Sequence, residues 1–489
     1  MRHTIRFVHK GQIRELAPSD PTQTVLNFLR YEDALTGTKE GCAEGDCGAC
    51  TVVLGDLTSD GSIRYQAVNA CIQFMPMLDG RELITVEDLK SRNGDLHPVQ
   101  QAMVSSNATQ CGFCTPGFVM SLFAEKHGKN SSDKRDINNT LAGNLCRCTG
   151  YGTIIDAARN AAADPAEDQF DRSEKARAAL LKALQTDASL ALEGQGRQYF
   201  APTSTEELAQ LLDDHPDAVL LAGATDIGLW VTKQHRVLDI IIYVGRINAL
   251  KSITVNDDTI SIGAGVTYSE AWQSLGTDYE DLHELIRRIA STQIRNSGTI
   301  GGNIANGSPI GDMPPALIAL NATLTLSSQK GSRDIPLEDF FIEYGRQDLK
   351  SGEFVEKVSF PRPAADKHFK CYKISKRFDQ DISALCGAFT LTLEGSRVKD
   401  IRICYGGMAG TPLRAKRTEK ELIGKDWTLD AVQNAMQTMA ADYTPMSDMR
   451  ASDDYRMSVA QNLLLKFYIE TTETETVTRL IGEGEQVHA

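Results

Sequence analysis

The feature that most constrains this chain is a cysteine-rich loop near its N-terminus. Residues 36–50 read TGTKEGCAEGDCGAC and place Cys42, Cys47 and Cys50 in a C-x4-C-x2-C spacing, and Cys71 follows in VNACI. This spacing is the plant-type pattern for a [2Fe–2S] cluster, in which four thiolates hold two irons. The sequence therefore predicts a centre that carries single electrons.

Three glycines, Gly41, Gly45 and Gly48, alternate with these cysteines. We expect them to adopt the positive φ that tight turns demand, so that backbone N–H groups point at the sulfurs. The alternatives are a structural zinc site or buried free thiols. Zinc usually takes paired C-x2-C knuckles, and a buried thiol needs no glycine loop, so the pattern favours the cluster.

A second group of four cysteines lies further along, as C-x2-C at Cys111 and Cys114 and as C-x1-C at Cys146 and Cys148. Pro116 marks a helix start after the first pair, and residues 149–150 lead into another helix. Both pairs are thus expected at helix N-termini, where the helix dipole favours thiolates. Zinc is again the alternative, but C-x1-C is an unusual spacing for it, and a second [2Fe–2S] cluster is favoured.

Apolar periodicity and composition divide the 489 residues into several domains of a multidomain α+β protein. The predicted segments are a β-rich domain resembling the β-grasp [2Fe–2S] ferredoxin fold at 1–90, a four-helix-bundle [2Fe–2S] domain at 91–165, a loosely packed linker with some helical character at 166–196, an α/β domain at 197–365 and a C-terminal α+β domain at 366–489, whose last residues from about 471 form a frayed tail. Cys371, Cys386 and Cys404 have no metal spacing and are expected to be buried thiols.

The net charge of −14 argues against nucleic acid or an anionic membrane surface as a partner. No run approaches the roughly 20 apolar residues that a membrane helix needs. The N-terminus, MRHTIRFVHKGQIREL, lacks the apolar core of a signal peptide. We therefore expect a cytoplasmic protein.

Two glycine-bearing turns stand out in the α/β segment: LAGATDIG at 221–228 and SGTIGGNIANGSPIGD at 297–312. Neither matches a Walker A loop or a G-x-G-x-x-G fingerprint after the first strand. Glycines beside small hydroxyl residues expose N–H groups that can cradle a pyrophosphate. From the residues alone, a simple tight turn is the favoured alternative for each.

Taken together, the cysteine loop, QCGFCTPG at 110–117 and NLCRCTGY at 144–151 resemble the molybdenum hydroxylase family, and all eight cysteines match its pattern. The resemblance implies two [2Fe–2S] clusters, with that of the helical domain nearest a molybdenum centre. It also assigns the later segments to an FAD-binding domain and a C-terminal flavoprotein domain.

The resemblance implies that FAD contacts three sets of residues. The first turn supplies Leu221, Ala222, Gly223, Ala224, Thr225, Asp226 and Ile227; the second supplies Thr299, Ile300, Gly301, Gly302 and Asn303; Asp312, Val355 and Lys373 complete the set. From the residues alone, Asp312 is equally an N-cap for a helix at 313, Lys373 a solvated charge and Val355 a core residue. The family's counterpart of loop 374–384 lies over the isoalloxazine ring and influences access of NAD.

The resemblance covers nearly the whole chain and leaves no residues for the family's large molybdopterin-binding domain. It therefore implies an electron-relay subunit of a xanthine-oxidising enzyme, with a molybdopterin-binding large subunit as partner and two copies of each in a heterotetramer. Electrons would pass from molybdenum through both clusters to FAD and on to NAD+, and no side chain of this chain would act as an acid–base catalyst. The alternatives are a relay for a partner that oxidises an aldehyde or another N-heterocycle, or a flavin that reacts with oxygen.

Overall fold

The computed structural model describes residues 1–91, 93–275, 278–473, 476 and 478. The chain forms two compact units: Met1–Asn248 with Ala290–Gly298, and Ala249–Ile289 with Thr299–Ala489. The predicted segment 197–365 therefore contributes residues to both units. The predicted segment boundaries stay predictions.

A five-stranded mixed sheet opens the first unit. In spatial order its strands are Gln12–Leu16, Ile5–His9, Glu82–Ile84, Thr51–Leu57 and Ile63–Asn69. The first two form a hairpin, in which Lys10 and Gly11 have φ of 53° and 70°, as a two-residue turn with matching twist requires. One α-helical turn (Val25–Asn27) leads into a π-helical segment (Phe28–Glu32).

Four helices follow the sheet, as the apolar periodicity predicts. They are Pro98–Ser105, Thr115–Lys126, Lys134–Leu141 and Gly152–Ala163. Their buried side chains, among them Phe118, Phe123 and Ile154, share one core with Val53 and Ile84 of the sheet. The two cysteine-bearing segments therefore pack as one body.

The segment 166–196 is not the loosely packed linker that the polar composition predicts. It contains a 16-residue helix, Gln169–Leu184, whose Leu181 and Leu184 pack with Val8 and Ile63 of the sheet. After the helix, Leu190–Gly194 pairs with Arg197–Ala201 as antiparallel strands. The expected helical character is present, whereas the expectation of loose packing is wrong because a few apolar side chains in a polar helix suffice to anchor it.

The first unit ends in a four-stranded sheet with both parallel and antiparallel pairs. Its spatial order is Leu190–Gly194, Arg197–Ala201, Ile240–Tyr243 and Val219–Leu221, with helices Thr205–Asp214, Ile227–Thr232 and Thr292–Arg295 in the same unit. Val219–Leu221 runs parallel to Ile240–Tyr243, so the glycine turn 221–228 begins at a carboxyl end of the sheet.

The second unit contains two larger antiparallel sheets. The first has the order Ile253–Val255, Thr259–Gly263, Phe354–Pro361, Thr323–Ser328 and Gly331–Pro336, and its helices are Tyr268–Leu275, Glu280–Arg287, Ile300–Asn306, Met313–Ala319 and Leu337–Phe340. Phe341–Glu343 and Arg346–Gln347 form a small separate pair. All seven residues of Met313–Ala319 are buried, so this helix forms part of the core.

The second sheet, in the C-terminal part, is a meander. Its strands are Lys367–Ile374, Leu385–Glu394, Arg397–Gly406 and Leu413–Arg414, followed by helices Lys416–Leu422, Leu429–Thr438 and Asp453–Thr472. The frayed tail predicted from about 471 lies largely outside the described residues, which continue the last helix to Thr472. Of the helices described, none combines the length and apolar character that crossing a membrane needs.

Asp168 fastens the helix Gln169–Leu184 to the helical bundle. Its carboxylate accepts hydrogen bonds from the Nε2 atoms of His97 (2.6 Å) and His127 (2.9 Å), and from the N–H groups of Phe170 and Asp171. Burial raises the pKa of Asp168, but the hydrogen bonds from both histidines outweigh it and hold the pKa well below its ordinary value. The folded state therefore favours the ionised carboxylate.

We expect Asp168→Ala to lower the free energy of unfolding by about 3–5 kcal/mol, because it removes one partner from a buried charged network. Since the folded pKa is depressed, the contribution of Asp168 is complete above the unfolded value of about 3.9 and is lost as the pH falls. Urea unfolding at several pH values measures both effects. Asp156→Asn, at an exposed i,i+3 pair with Arg159, should change stability by less than about 0.5 kcal/mol; an equal effect of the two variants would contradict this account.

Candidate functional site

The first cysteine group is assembled by the loop 41–50 and the end of the strand Ile63–Asn69. Cys42 lies close enough to Cys47 and Cys71, and Cys71 to Cys50, for the thiols to shift one another's pKa values. The neighbouring thiols of Cys47 and Cys71 hold the pKa of Cys42 well below its ordinary value, whereas those of Cys42 and Cys50 raise the pKa of Cys71. The four sulfurs predicted from spacing are thus brought together.

Backbone donors converge on one of these sulfurs. The N–H groups of Glu44, Asp46 and Cys47 lie 3.5, 3.4 and 3.4 Å from Cys42 Sγ. Three N–H donors favour a thiolate over a thiol, and they equally stabilise the negative charge of a bound cluster.

The glycines of this loop serve two different purposes. Gly45 and Gly48 have φ of 78° and 70°, as expected, and Ala43 joins them at 57°. The expectation is wrong for Gly41, which does not have positive φ. A Cβ on Gly41 would lie 2.7 Å from Cys47 Sγ, so glycine is needed there to leave room for sulfur.

The second cysteine group is assembled by two loops of the helical segment. The thiols of Cys111 and Cys148 lie close enough to affect each other's pKa values, as do those of Cys114 and Cys146. Burial and the neighbouring thiol of Cys146 raise the pKa of Cys114 to about 12. Burial also raises the pKa of Cys146, but hydrogen bonds with the hydroxyl and N–H of Thr149 outweigh it and lower the pKa to about 7.

Both cysteine pairs of this group are expected at helix N-termini, but only one of them lies there. Cys114 is the N-cap residue of Thr115–Lys126. The other helix begins at Gly152 after Tyr151, so Cys148 does not lie at a helix N-terminus. The Tyr151 hydroxyl instead accepts a hydrogen bond from the N–H of Cys146, which fixes the loop through a side chain.

Each group brings four thiols close together, and a [2Fe–2S] cluster needs two thiolates on each of two irons. The donor sets and the N–H groups around Cys42 fit that requirement. The other three cysteines, Cys371, Cys386 and Cys404, are buried in strands, as expected.

The first glycine turn, in the first unit, leaves backbone donors free. No acceptor among the described residues pairs with the N–H groups of Gly223, Ala224 and Thr225. Ala224 has φ of 60°, and a Cβ on Gly223 would overlap the carbonyl oxygen of Ser297. Unpaired donors at the carboxyl end of a parallel strand are suited to an anionic phosphate.

The second glycine turn, in the second unit, uses its donors internally. The N–H groups of Ile300 and Gly301 donate to Val266 and Ala264 (2.9 and 3.0 Å), and that of Gly302 donates to Thr299 Oγ1. The expectation that this turn exposes N–H groups is therefore wrong at these three positions. Asn303 does provide a polar atom, since its Oδ1 is buried and has no hydrogen-bond partner in the part of the chain that the structure describes.

Asp312 and Lys373 form a buried ion pair in the second unit. Lys373 Nζ lies 2.6 Å from Asp312 Oδ2, and Ser383 Oγ donates to the other carboxylate oxygen at 2.5 Å. Asp312 occupies the N-cap position of Met313–Ala319, as the alternative expects, but its side chain makes no capping hydrogen bond there. Lys373 is 6% exposed and is not a solvated charge, while Val355 lies in the hydrophobic core.

Two glutamines near these turns were not predicted. Gln73, two residues after Cys71, donates to the carbonyl oxygen of Gly223 (3.3 Å) and to Ser297 Oγ (3.2 Å). Gln293 is buried among residues of both cysteine segments. Neither position carries a local sequence signal, since its partners are distant along the chain.

Four family models match the chain in sequence. They are a 2Fe-2S iron-sulfur cluster binding domain at 7–75, a [2Fe-2S] binding domain at 85–159, an FAD binding domain in molybdopterin dehydrogenase at 193–363 and a CO dehydrogenase flavoprotein C-terminal domain at 370–471. The predicted order of domain types is thereby confirmed.

The chain is similar to proteins named xanthine dehydrogenase, carbon monoxide dehydrogenase and quinoline 2-oxidoreductase. The chain is 33% identical to xanthine dehydrogenase 1 of Arabidopsis thaliana, over 95% of this chain and 40% of that protein. A carbon monoxide dehydrogenase structure from Hydrogenophaga pseudoflava gives a TM-score of 0.53 at 31% identity, covering 55% of this chain and 94% of that one. Quinoline 2-oxidoreductase from Pseudomonas putida gives 0.52 at 26%, with 56% and 96% covered. The chain spans about 40% of the length of the curated relatives that it matches.

We expect the purified chain to contain about four irons and about four sulfides, as two [2Fe–2S] clusters. Cys148→Ser should remove the electron paramagnetic resonance signal of one cluster and leave the other, because the two groups use separate loops. Cys404→Ser, at a buried thiol outside both groups, is the control and should keep both signals. Stoichiometric zinc in place of iron would contradict the expectation.

Gly223→Val should weaken FAD binding by about tenfold or more, or about 1.4 kcal/mol, because its side chain displaces the turn from Ser297. FAD released on denaturation, measured against iron content, gives the occupancy. In Gly410→Val the new Cβ would meet only Tyr344, at 3.6 Å, so FAD content should not change. Full occupancy in Gly223→Val would mean that the turn does not bind the flavin.

Proposed function

Since this chain belongs to the molybdenum hydroxylase family, we propose that it is the iron–sulfur and FAD subunit of a xanthine dehydrogenase. In this proposal a molybdopterin-binding large subunit oxidises hypoxanthine and xanthine. Electrons pass through this chain's two clusters to FAD and then to NAD+. The physiological assembly is two copies of this chain with two large subunits, in the cytoplasm.

The observation that carries the proposal is the direct link between the two cysteine groups. The N–H of Leu145, the neighbour of Cys146, donates to the carbonyl oxygen of Cys47 at 3.0 Å. A relay needs its redox centres close together and fixed in position, and this bond joins the two proposed ligand loops. When bound, the clusters and FAD supply the electron transfer; the protein's residues hold and orient them.

We assign the cluster ligands by these contacts. Cys42, Cys47, Cys50 and Cys71 hold one cluster, and Cys111, Cys114, Cys146 and Cys148 hold the other. Cys111 and Cys148 are exposed, and Phe113 between the first two cysteines of the second group is 46% exposed. An exposed redox group beside an exposed aromatic ring supports electron entry from the large subunit at the second cluster.

For FAD, the first turn is the best-supported element. The N–H groups of Gly223, Ala224 and Thr225 bind the diphosphate, within the segment Leu221–Ile227. Within the second unit, Asn303 Oδ1 and the Asp312–Lys373 pair offer polar contacts to the flavin. The backbone that holds Asn303 in place is formed by Thr299, Ile300, Gly301 and Gly302. Val355 packs in the hydrophobic core of the same unit.

The identity of the oxidised substrate rests on the relatives. Similarity to a xanthine dehydrogenase over 95% of this chain supports a purine. The likeness to quinoline 2-oxidoreductase supports the alternative, a relay for another N-heterocycle. The substrate-binding residues of either enzyme would belong to the molybdopterin-binding part.

We expect the isolated chain, replete with FAD, to pass electrons from NADH to an artificial dye and to oxidise neither xanthine nor hypoxanthine. The large subunit should restore purine oxidation with NAD+ as acceptor. In the reconstituted complex, Cys148→Ser should abolish xanthine oxidation and spare NADH-to-dye activity, because dye reduction draws electrons from the flavin.

Steady-state assays of NADH-to-dye reduction and of xanthine oxidation, on the isolated chain and on the complex, test whether purine oxidation requires the large subunit. Xanthine turnover by the isolated chain would contradict that requirement. A flavin-replete chain that does not react with NADH would instead support oxygen as the electron acceptor.

A further inference from the structure

One buried amide, that of Gln293, lies where three segments of the first unit meet. Its Nε2 is 3.3 Å from Thr51 Oγ1 beside the first cysteine loop, and 3.1 Å from Ser121 Oγ on the helix Thr115–Lys126. It is also 3.1 Å from Oδ1 of Asn144, two residues before Cys146. Gln293 is 1% exposed, so water does not compete for these bonds.

The polar groups around Gln293 already donate their own hydrogens to other acceptors. The Thr51 hydroxyl donates to the carbonyl oxygen of Gly48 (2.7 Å), and the Ser121 hydroxyl donates to Asn144 Oδ1 (2.7 Å). Asn144 Nδ2 donates to the Gly48 carbonyl and to Thr51 Oγ1. The three oxygens that face Gln293 Nε2 therefore act as acceptors, and the amide offers them two N–H hydrogens.

The oxygen of the Gln293 amide is held by packing against the backbone. Among the described residues, Gln293 Oε1 is buried without a hydrogen-bond partner, and it packs against Gly143, where any Cβ would overlap it. The side chain thus fills the space beside the loop of Cys146 as well as bonding to it. Neither a shorter side chain nor one without donors reproduces both contacts.

The segment that carries Gln293 also contacts the first glycine turn. Four residues later, the Ser297 carbonyl fills the space that a side chain at Gly223 would need, and Gln73 donates to both residues. Ile294 packs beside Gly45 of the first cysteine loop, its Cδ1 3.1 Å from where a Cβ would stand. Residues 291–298 therefore contact both cysteine groups and the turn proposed to bind the diphosphate.

We propose that Gln293 is a positioning residue for electron transfer between the two clusters. Its amide fixes the loop of Cys47 and Cys50 relative to the loop of Cys146, and so sets the separation across which one electron leaves the second cluster and reduces the first. No bond forms or breaks in this step. The inference rests on the proposed assignment of the eight cysteines to two clusters.

Two substitutions test the role. Gln293→Glu keeps the size but directs a carboxylate at three acceptors, and Gln293→Met removes the donors without adding charge. In the full chain reduced with dithionite, both should keep wild-type iron and sulfide. Both should lose the low-temperature paramagnetic splitting that arises when two reduced clusters lie close together.

Kinetics and potentials give a second readout. After pulse reduction, the rate of electron exchange between the clusters should fall by about tenfold or more in both variants, since small displacements of reacting groups have large kinetic effects. At least one cluster potential should shift in a redox titration. Gln101→Glu makes the same chemical change on an exposed helix face and should match wild type. The side-chain amide of Gln101 bonds only to Ser105 among the described residues.

The outcomes separate the inference from the proposed function. If Gln293→Met keeps both clusters with wild-type splitting and exchange rate, the inference is overturned and the relay function stands. If Gln293→Met loses a cluster or the fold, Gln293 is structural and the inference is again overturned. A wild-type chain with one cluster signal would instead overturn the cysteine assignment itself.

Discussion

The two cysteine loops touch through their backbones, and this contact constrains the sequence around both. A Cβ on Gly48 would overlap the carbonyl oxygen of Gly143, and a Cβ on Gly117 would overlap that of Gly48. With no side chains between them, the loops come close enough for the bond from Leu145 to Cys47. Glycine at these positions is thus required by the approach of two chains, and at Gly48 by a positive φ as well.

Close approach brings polar groups out of water, and each must find a partner because an unsatisfied buried group costs about 1–3 kcal/mol. Side chains from distant parts of the sequence supply many of these partners. Gln293 Nε2 donates at the loop contact, Asp168 joins two histidines to a helix N-terminus, and Lys373 pairs with Asp312. Buried hydrogen bonds of this kind restrict the loops to one arrangement, which is what a relay with fixed distances needs.

Sequence patterns predict what is local and miss what is made by distant partners. The four helices between residues 98 and 163 follow from apolar periodicity. The eight cysteines are found because metal ligands have characteristic spacing. The mostly polar surface of the helix Gln169–Leu184 predicts loose packing, since its anchoring residues are few. Gln293 gave no signal at all, since its donors are needed only where three remote segments meet.

The two glycine turns have similar residue types but different backbone hydrogen bonding. Both place glycine beside small residues, yet only the turn after Val219–Leu221 leaves N–H groups without acceptors in the described structure. In the turn after Thr299, backbone carbonyls of residues 264 and 266 and a threonine hydroxyl take those donors, and Gly301 is needed because a Cβ would strike Ala264. A phosphate competes poorly for N–H groups already paired in a packed core. The first turn is therefore suited to anion binding through its backbone, whereas the second offers the side-chain oxygen of Asn303.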